Sequence, residues 1–378
     1  MKEFHIAQFG TYDIESLGDT TFPQMLAYGL RKYISCTIEL FSLNECDKPY
    51  NNNSHVYAFE QFASLNKRNS FDAVILGGGE FIHFSEMEVI IDGSKTSYPA
   101  GYIWKKPLEM ASIHGIPFVM NCCGVSFDFD EDERKDLRTS LISASYISVR
   151  DPYSSKRLQT AGITNCVTVA DNLWYMNQMY PPKAMDTLRH ELERRLNRDF
   201  SSPYILVQYG TTRDAKTLAR ALRGVKAHFG CRVLLMAVNY CHEDRHGMKL
   251  IEEQGSGEFE VLDQYLQPPE MIAVISGAYA FIGTSLHGNL TAASYGVPFV
   301  GIDMYPTFVS KMDGIFSMLE CEDYLVPNES GIEAAVYARM NDHDTDKRIS
   351  QTIGELQNRL DEHFAAIARI LEETDDAG

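Results

Sequence analysis

An α/β chain with parallel sheets in two similar halves is the fold class the sequence predicts, and three observations carry it. Short runs rich in β-branched and aromatic residues alternate with helix-length segments along the whole chain, the pattern of parallel strands joined by crossover helices. The alternation restarts after a charged, proline-punctuated stretch near residues 180–203. The length, 378 residues, exceeds what one hydrophobic core usually organises.

The first series opens with FHIAQFG (4–10) and a helix from Thr20 to Tyr33, followed by AVILGG (73–78) and PFVMNCCG (117–124). YISVRD (146–151), a helix from Ser154 to Ala161, and CVTVAD (166–171) complete it. The second series runs YILVQYG (204–210), a helix from Ala215 to Phe229, VLLMAVNY (233–240), FEVLD (259–263), an amphipathic stretch around Met271 to Ile275, AYAFIGTS (278–285) and PFVGID (298–303). Between them, Pro181-Pro182 and Ser201-Ser202-Pro203 bracket a charged helical piece of the kind that connects domains. The expected division is therefore 1–180, 203–345 and a C-terminal helix over 346–378. In that helix Ile349, Ile353, Leu356, Leu360, Phe364, Ile367 and Leu371 step by three or four residues into one apolar stripe suited to packing back on the domains.

With 44% hydrophobic and 23% charged residues the chain is globular rather than disordered. Thirty-four basic against 52 acidic side chains leave a net charge of −18, which repels phosphate backbones and anionic lipid surfaces. Nucleic acid is not an expected partner. The N-terminus MKEFHIAQFG lacks the pattern of a signal peptide and no run reaches the length of a membrane span, so a cytoplasmic location is expected. The eight cysteines have no CxxC spacing and are read as reduced thiols. Three glycosylation triplets, at Asn52, Asn289 and Asn328, carry no meaning in that compartment.

In open α/β sheets ligands gather at the carboxyl ends of strands, so residues just after strands are the candidates. His287 and Gly288 are placed in the turn before a helix of Asn289 to Tyr295, where an imidazole and helix-start amides would receive an anion; a structural hydrogen-bonding histidine is the alternative. Arg150 suits bidentate capture of a carboxylate or phosphate, or a salt bridge with Asp151. Lys311 follows the strand 298–303 in a turn with Pro306, as a further phosphate contact or a solvated lysine. Gly18 and Asp19 read as a tight turn and an N-cap, with contact to an acceptor as the other reading. Gly77-Gly78-Gly79-Glu80 allows close approach to an acceptor sugar or a simple tight turn, and it is not a GxGxxG fingerprint. His242-Glu243-Asp244-Arg245-His246 matches HExxH literally, but it follows a strand and lacks a third ligand. Asp128, Asp130 and Asp132 resemble the start of a calcium loop without its Gly and Glu, and an acidic helix start accounts for them. No resident metal is expected.

Taken in order, Ser285-Leu286-His287-Gly288, Gly296-Val297-Pro298, Asp303, Tyr305 and Lys311, with Gly10, Gly18-Asp19, Gly77-Gly78-Gly79, Gly124, Ser148-Val149-Arg150-Asp151, Ser154 and Asp171 upstream, make the chain similar to the polysaccharide pyruvyl transferase family. The resemblance implies two Rossmann-like domains facing a cleft, as in GT-B glycosyltransferases. It implies transfer of a pyruvyl group from phosphoenolpyruvate, as co-substrate without other cofactor, to a sugar of a cell-envelope or capsular polysaccharide precursor. It casts His287 as general acid and Arg150 as donor clamp, with Ser285, Gly288, Asn289 and Lys311 on the donor side and Gly18, Asp19, Gly78, Gly79 and Glu80 on the acceptor side. The partner would be a saccharide, nucleotide- or lipid-linked, and a homo-oligomer is compatible with the sequence. The chain departs from the family where Ser285 replaces an arginine and Ser16 an asparagine. Loss of one charge-assisted pair costs about 1.5 to 3 kcal/mol, so the donor is held differently or is another donor. Two alternatives therefore stand: a GT-B-like glycosyltransferase or other group transferase using a nucleotide sugar, and a non-catalytic saccharide-binding protein.

Overall fold

The computed structural model describes residues 2–47, 55–91, 94–99, 101–210, 214–305 and 309–376. The Asn52-Asn53-Ser54 triplet and Pro306 lie outside them. The chain forms two compact units, one of Met1–Leu173 with Leu356–Gly378, the other of Trp174–Glu355.

The first unit holds strands β1 (Glu3–Phe9), β2 (Ser35–Ser42), β3 (Cys46–Asp47), β4 (His55–Ala58), β5 (Ala73–Gly77), β6 (Met87–Ile91), β7 (Ser94–Tyr98), β8 (Phe118–Cys123), β9 (Tyr146–Val149) and β10 (Val167–Thr168). Among the described residues the main sheet runs β10-β9-β8-β5-β1-β2-β4-β3. It is parallel except where β3 meets β4. Every residue of β5 and β8 is buried, which is why they read as unbroken apolar runs: helices cover both faces of a parallel sheet. Phe9 stacks on Phe41 at 4.8 Å between centroids, and Phe59, Phe62 and Phe71 pack edge-on around the pair. The antiparallel hairpin β6–β7 was not anticipated. Its Tyr98 hydroxyl donates to the buried Asp13 carboxylate in the loop after β1.

The second unit holds β11 (Tyr204–Gln208), β12 (Arg232–Met236), β13 (Glu260–Leu262), β14 (Ala280–Gly283), β15 (Phe299–Ile302) and β16 (Leu325–Val326). Its sheet is parallel in the order β13-β12-β11-β14-β15-β16, the Rossmann order. The expected helix Ala215–Phe229 forms with Asp214 as N-cap and Gly230 in the left-handed conformation at its end. The stretch Met271 to Ile275 lies in the helix Pro268–Ser276 and is buried throughout rather than amphipathic.

The expected fold class, two Rossmann-like units of GT-B type with a long C-terminal helix, is the one found. The boundaries differ. The chain changes unit at Leu173–Trp174, and the expected connection is part of the second unit. Its helix Pro182–Leu196 is held there by Arg195 with Glu270 (2.5 Å) and by Arg189 donating to the Ala273 carbonyl (3.3 Å). The C-terminal helix spans His343–Asp376, and all seven residues of its predicted stripe are buried. From Leu356 it belongs to the first unit, where Phe364 fills the space that a side chain on Gly29 would need. Among the described residues no helix is long and apolar enough to cross a membrane. Among the described residues none of the eight cysteines is joined in a disulfide.

Candidate functional site

In the second unit the sheet order reverses between β11 and β14. At such a switch point the crossovers leave in opposite directions and open a crevice beyond the strand ends. Gln208 ends β11 and Thr284-Ser285 follow β14, so both strands deliver polar groups there. The Gln208 Oε1 accepts from the Ser285 amide at 2.7 Å and from Thr284 Oγ1 at 3.3 Å, while Thr284 Oγ1 accepts from the Gly210 amide at 3.1 Å.

Ser285, where the resembling family carries arginine, is the N-cap of the helix Leu286–Ser294, and its Oγ accepts from the Gly288 amide at 3.3 Å. His287 and Gly288 are thus in the first turn of the helix, not in a turn before it. The strand-to-helix reversal is so short that capping begins at residue 285. His287 is half-buried at the positive end of the helix dipole. Gly288 is required because a Cβ there would come within 2.6 Å of the Phe281 ring. Asn289 is fully buried, and its Nδ2 donates to the Gly283 and Ser285 carbonyls at 3.0 and 2.8 Å. It therefore braces the loop. Lys311 opens the helix Lys311–Met318, behind the N-cap Ser310, and is exposed rather than held in a turn.

Asp244, 1% exposed, is the residue that sequence reasoning passed over. Its Oδ2 accepts from the Val238 and Asn239 amides at 3.0 and 2.9 Å, and Asn239 Nδ2 lies 3.4 Å from both that oxygen and Ser285 Oγ. Burial pushes its carboxyl up to about 6, although hydrogen bonds from Val238, Asn239 and Gln208 pull the other way. The only sequence signal was its place inside the HExxH-like string. That string does not form the zinc motif: the helix is Asp244–Gly255, so His242 precedes it, and both histidines are exposed.

In the first unit the switch point lies between β1 and β5. Tyr12, 1% exposed, fills it, with its hydroxyl 3.0 Å from the Gly77 carbonyl and 3.1 Å from that of Phe9. Gly78 and Gly79 have φ of +72° and +78°, and Cβ atoms on them would overlap the rings of Phe22 and Phe81. Packing by the chain itself therefore accounts for both glycines. Gly18 is buried inside the helix Leu17–Leu30, whose N-cap is Ser16. Asp19 is consequently not the cap; it stands in the first turn and accepts from Thr11 Oγ1 at 2.5 Å.

Arg150, 2% exposed, follows β9 with its guanidinium against Gly124. Asp171, Asp151 and Glu80 surround it at 3.5, 3.7 and 3.9 Å. Burial opposes its charge, but Glu80, Asp171 and Asp151 outweigh that and raise its pKa. One cation among three carboxylates is a counter-ion, and an entering anion would meet net negative charge, so the geometry favours the salt-bridge reading over the donor clamp. Asp151 also caps the helix Pro152–Thr160 through Ser154. The structure thus gathers Arg150, Glu80, Gly79 and Asp171 in one unit, and Ser285, His287, Gly288 and Asn289 in the other. Asp130 caps the helix Glu131–Leu141 in a capping box with Glu133, the acidic helix start expected for that segment.

A model of the polysaccharide pyruvyl transferase family matches residues 24–304. No curated protein matches the chain. Among solved structures it is similar to UDP-N-acetylglucosamine 2-epimerase from Rickettsia bellii (TM-score 0.63, 11% identity, 99% of this chain and 97% of that one). It is also similar to UDP-GlcNAc 2-epimerase from Neisseria meningitidis bound to UDP-GlcNAc (0.60, 10%, 100% of both chains). A glycosyltransferase from Rickettsia africae aligns over 99% of both chains (0.61, 10%). At these identities the likeness is one of fold.

Proposed function

The chain belongs to the polysaccharide pyruvyl transferase family, and from that premise we propose that it moves a pyruvyl group from phosphoenolpyruvate to a nucleotide- or lipid-linked saccharide. The product is a ketal on a cell-envelope or capsular polysaccharide precursor, made in the cytoplasm. The observation that carries this reading is the pairing of Ser285 and His287 at a helix start on the second unit's switch point. A helix N-terminus favours an anion, and an imidazole exchanges protons near neutral pH.

In the proposed reaction His287, as imidazolium, gives a proton to C3 of the enol. One sugar hydroxyl bonds to C2 and returns its proton to the imidazole. A second hydroxyl of the same sugar bonds to C2 as the C2–O bond to phosphate breaks, and its proton leaves with the phosphate. Lys311 offers a further phosphate contact. The proposed acceptor residues belong to the first unit: Glu80, half-buried beside Arg150, follows Gly78 and Gly79 in the turn after β5, and Gly18 and Asp19 stand in the first turn of the helix Leu17–Leu30.

The test is incubation with phosphoenolpyruvate and a panel of nucleotide- and lipid-linked sugars, with phosphate release and the new methyl signal as readouts. Release of phosphate together with a ketal methyl supports the proposal, and a folded protein that releases none across the panel overturns it. Ser285 in place of arginine favours a second reading, a nucleotide-sugar donor. Thermal shift separates the two, because a ligand at 100 times its dissociation constant stabilises by about 2.7 kcal/mol.

A further inference from the structure

We infer that Asp244 is a positioning residue of the donor site: through Asn239 it orients the Ser285 hydroxyl to donate outward to an anionic oxygen of the donor. This rests on the donor side assigned above.

A serine hydroxyl has two lone pairs and one proton. Gly288 N–H and Asn239 Nδ2 approach Ser285 Oγ at 3.3 and 3.4 Å and occupy the lone pairs. Among the described residues no acceptor takes the hydroxyl proton, so that proton is what Ser285 offers to a ligand. The arrangement depends on which way the Asn239 amide faces. With its nitrogen toward Ser285 it donates; turned over, its oxygen would draw the hydroxyl proton inward. Asp244 decides between them. Its Oδ2 lies 3.4 Å from Asn239 Nδ2, where an amide oxygen would face a carboxylate oxygen, and it also holds the Asn239 backbone amide at 2.9 Å. Asp244 is itself fixed from below, since a Cβ on Gly247 would overlap the Tyr209 carbonyl and the helix start packs directly on the end of β11. A neutral hydroxyl with a fixed direction thus stands where the resembling family uses a guanidinium.

The experiment measures dissociation constants for phosphoenolpyruvate, and in parallel for UDP-GlcNAc and inorganic phosphate, in wild type, Ser285→Ala, Asp244→Asn and the double variant. Asn239→Ala replaces Asp244→Asn if the latter does not fold. Ser285→Ala is expected to weaken donor binding about 10- to 100-fold, the loss of one hydrogen bond to a charged group. Asp244→Asn is expected to weaken it at least about 5-fold alone and less than about twofold in the Ser285→Ala background, because it acts through that hydroxyl. Where turnover is measured, the single variants raise KM more than they lower kcat. Additive losses, or Ser285→Ala binding like wild type, overturn the inference while leaving the pyruvyl-transfer reading intact. If wild type binds UDP-GlcNAc instead and the same non-additivity appears there, the phosphoenolpyruvate reading fails and the positioning role stands. Binding of none of the three anions overturns both.

Discussion

The Nε2 of His363, on the C-terminal helix, donates to the Oδ1 of Asn121 within β8 across 2.8 Å, and Tyr146 lies 3.2 Å from the other ring nitrogen. The pair ties the last helix to the middle of the first sheet through a buried, neutral imidazole.

Burial pushes His363 down from its usual 6.5 to about 3. A depressed histidine means the unfolded chain binds the extra proton first, so stability is full above pH 6.5 and is lost as pH falls toward 3. The expected slope is about 1.4 kcal/mol per pH unit within that window. Asp244, raised to about 6 by burial, runs the opposite way and loses its contribution as pH rises through that value. Denaturant titrations of wild type and His363→Gln at several pH values isolate the histidine: the variant should show the shallower acid loss, and parallel curves would contradict the assignment.

Gly78→Ala should destabilise the first unit by about 2 to 5 kcal/mol. The new methyl would demand a left-handed backbone, at about 1 to 2 kcal/mol, and displacement of the Phe22 ring, at about 1 to 3 kcal/mol. Urea unfolding measures it, and a loss below about 0.5 kcal/mol would show that this turn relaxes freely.

Arg150→Met should lower stability by about 3 to 5 kcal/mol with no ligand present, because it strands Asp171 and Asp151 in a buried site. The carboxyls left behind are then pushed up, so the variant recovers stability relative to wild type as pH falls. An anion clamp would behave otherwise: its removal would spare the fold and abolish donor binding alone. Melting temperatures at two pH values tell these apart.

His287→Gln should leave folding intact, since the side chain is only half-buried, and reduce phosphate release by about 100- to 10,000-fold, the usual worth of a general acid. Retention of more than a tenth of wild-type turnover, measured at saturating donor, would remove His287 from the acid role.

Much of the fold was legible because its signals are local. The buried strands AVILGG and PFVMNCCG announce a sheet covered on both faces, and the stripe from Ile349 to Leu371 announces a helix with one buried side. The helices expected from Thr20 and Asn289 begin three residues earlier, at Leu17 and Leu286, since the caps Ser16 and Ser285 look in sequence like ordinary loop serines. The hairpin Met87–Tyr98 escaped notice for a different reason: its strands lack clear alternation, and Tyr98 is held by Asp13, 85 residues away.

What the sequence determined by itself was the chain's membership of a two-unit α/β class and the placing of its candidate side chains at strand ends, because periodicity and the strand-end rule need only residues that are close along the chain. What only the tertiary structure decided was the meaning of the charges. Arg150 reads as a clamp until Asp171, Asp151 and Glu80 close around it, and Asp244 reads as part of a false zinc motif until Asn239, in reach of both, links it to Ser285. Electrostatic roles depend on burial and on partners brought from distant segments, and those are properties of the folded chain alone.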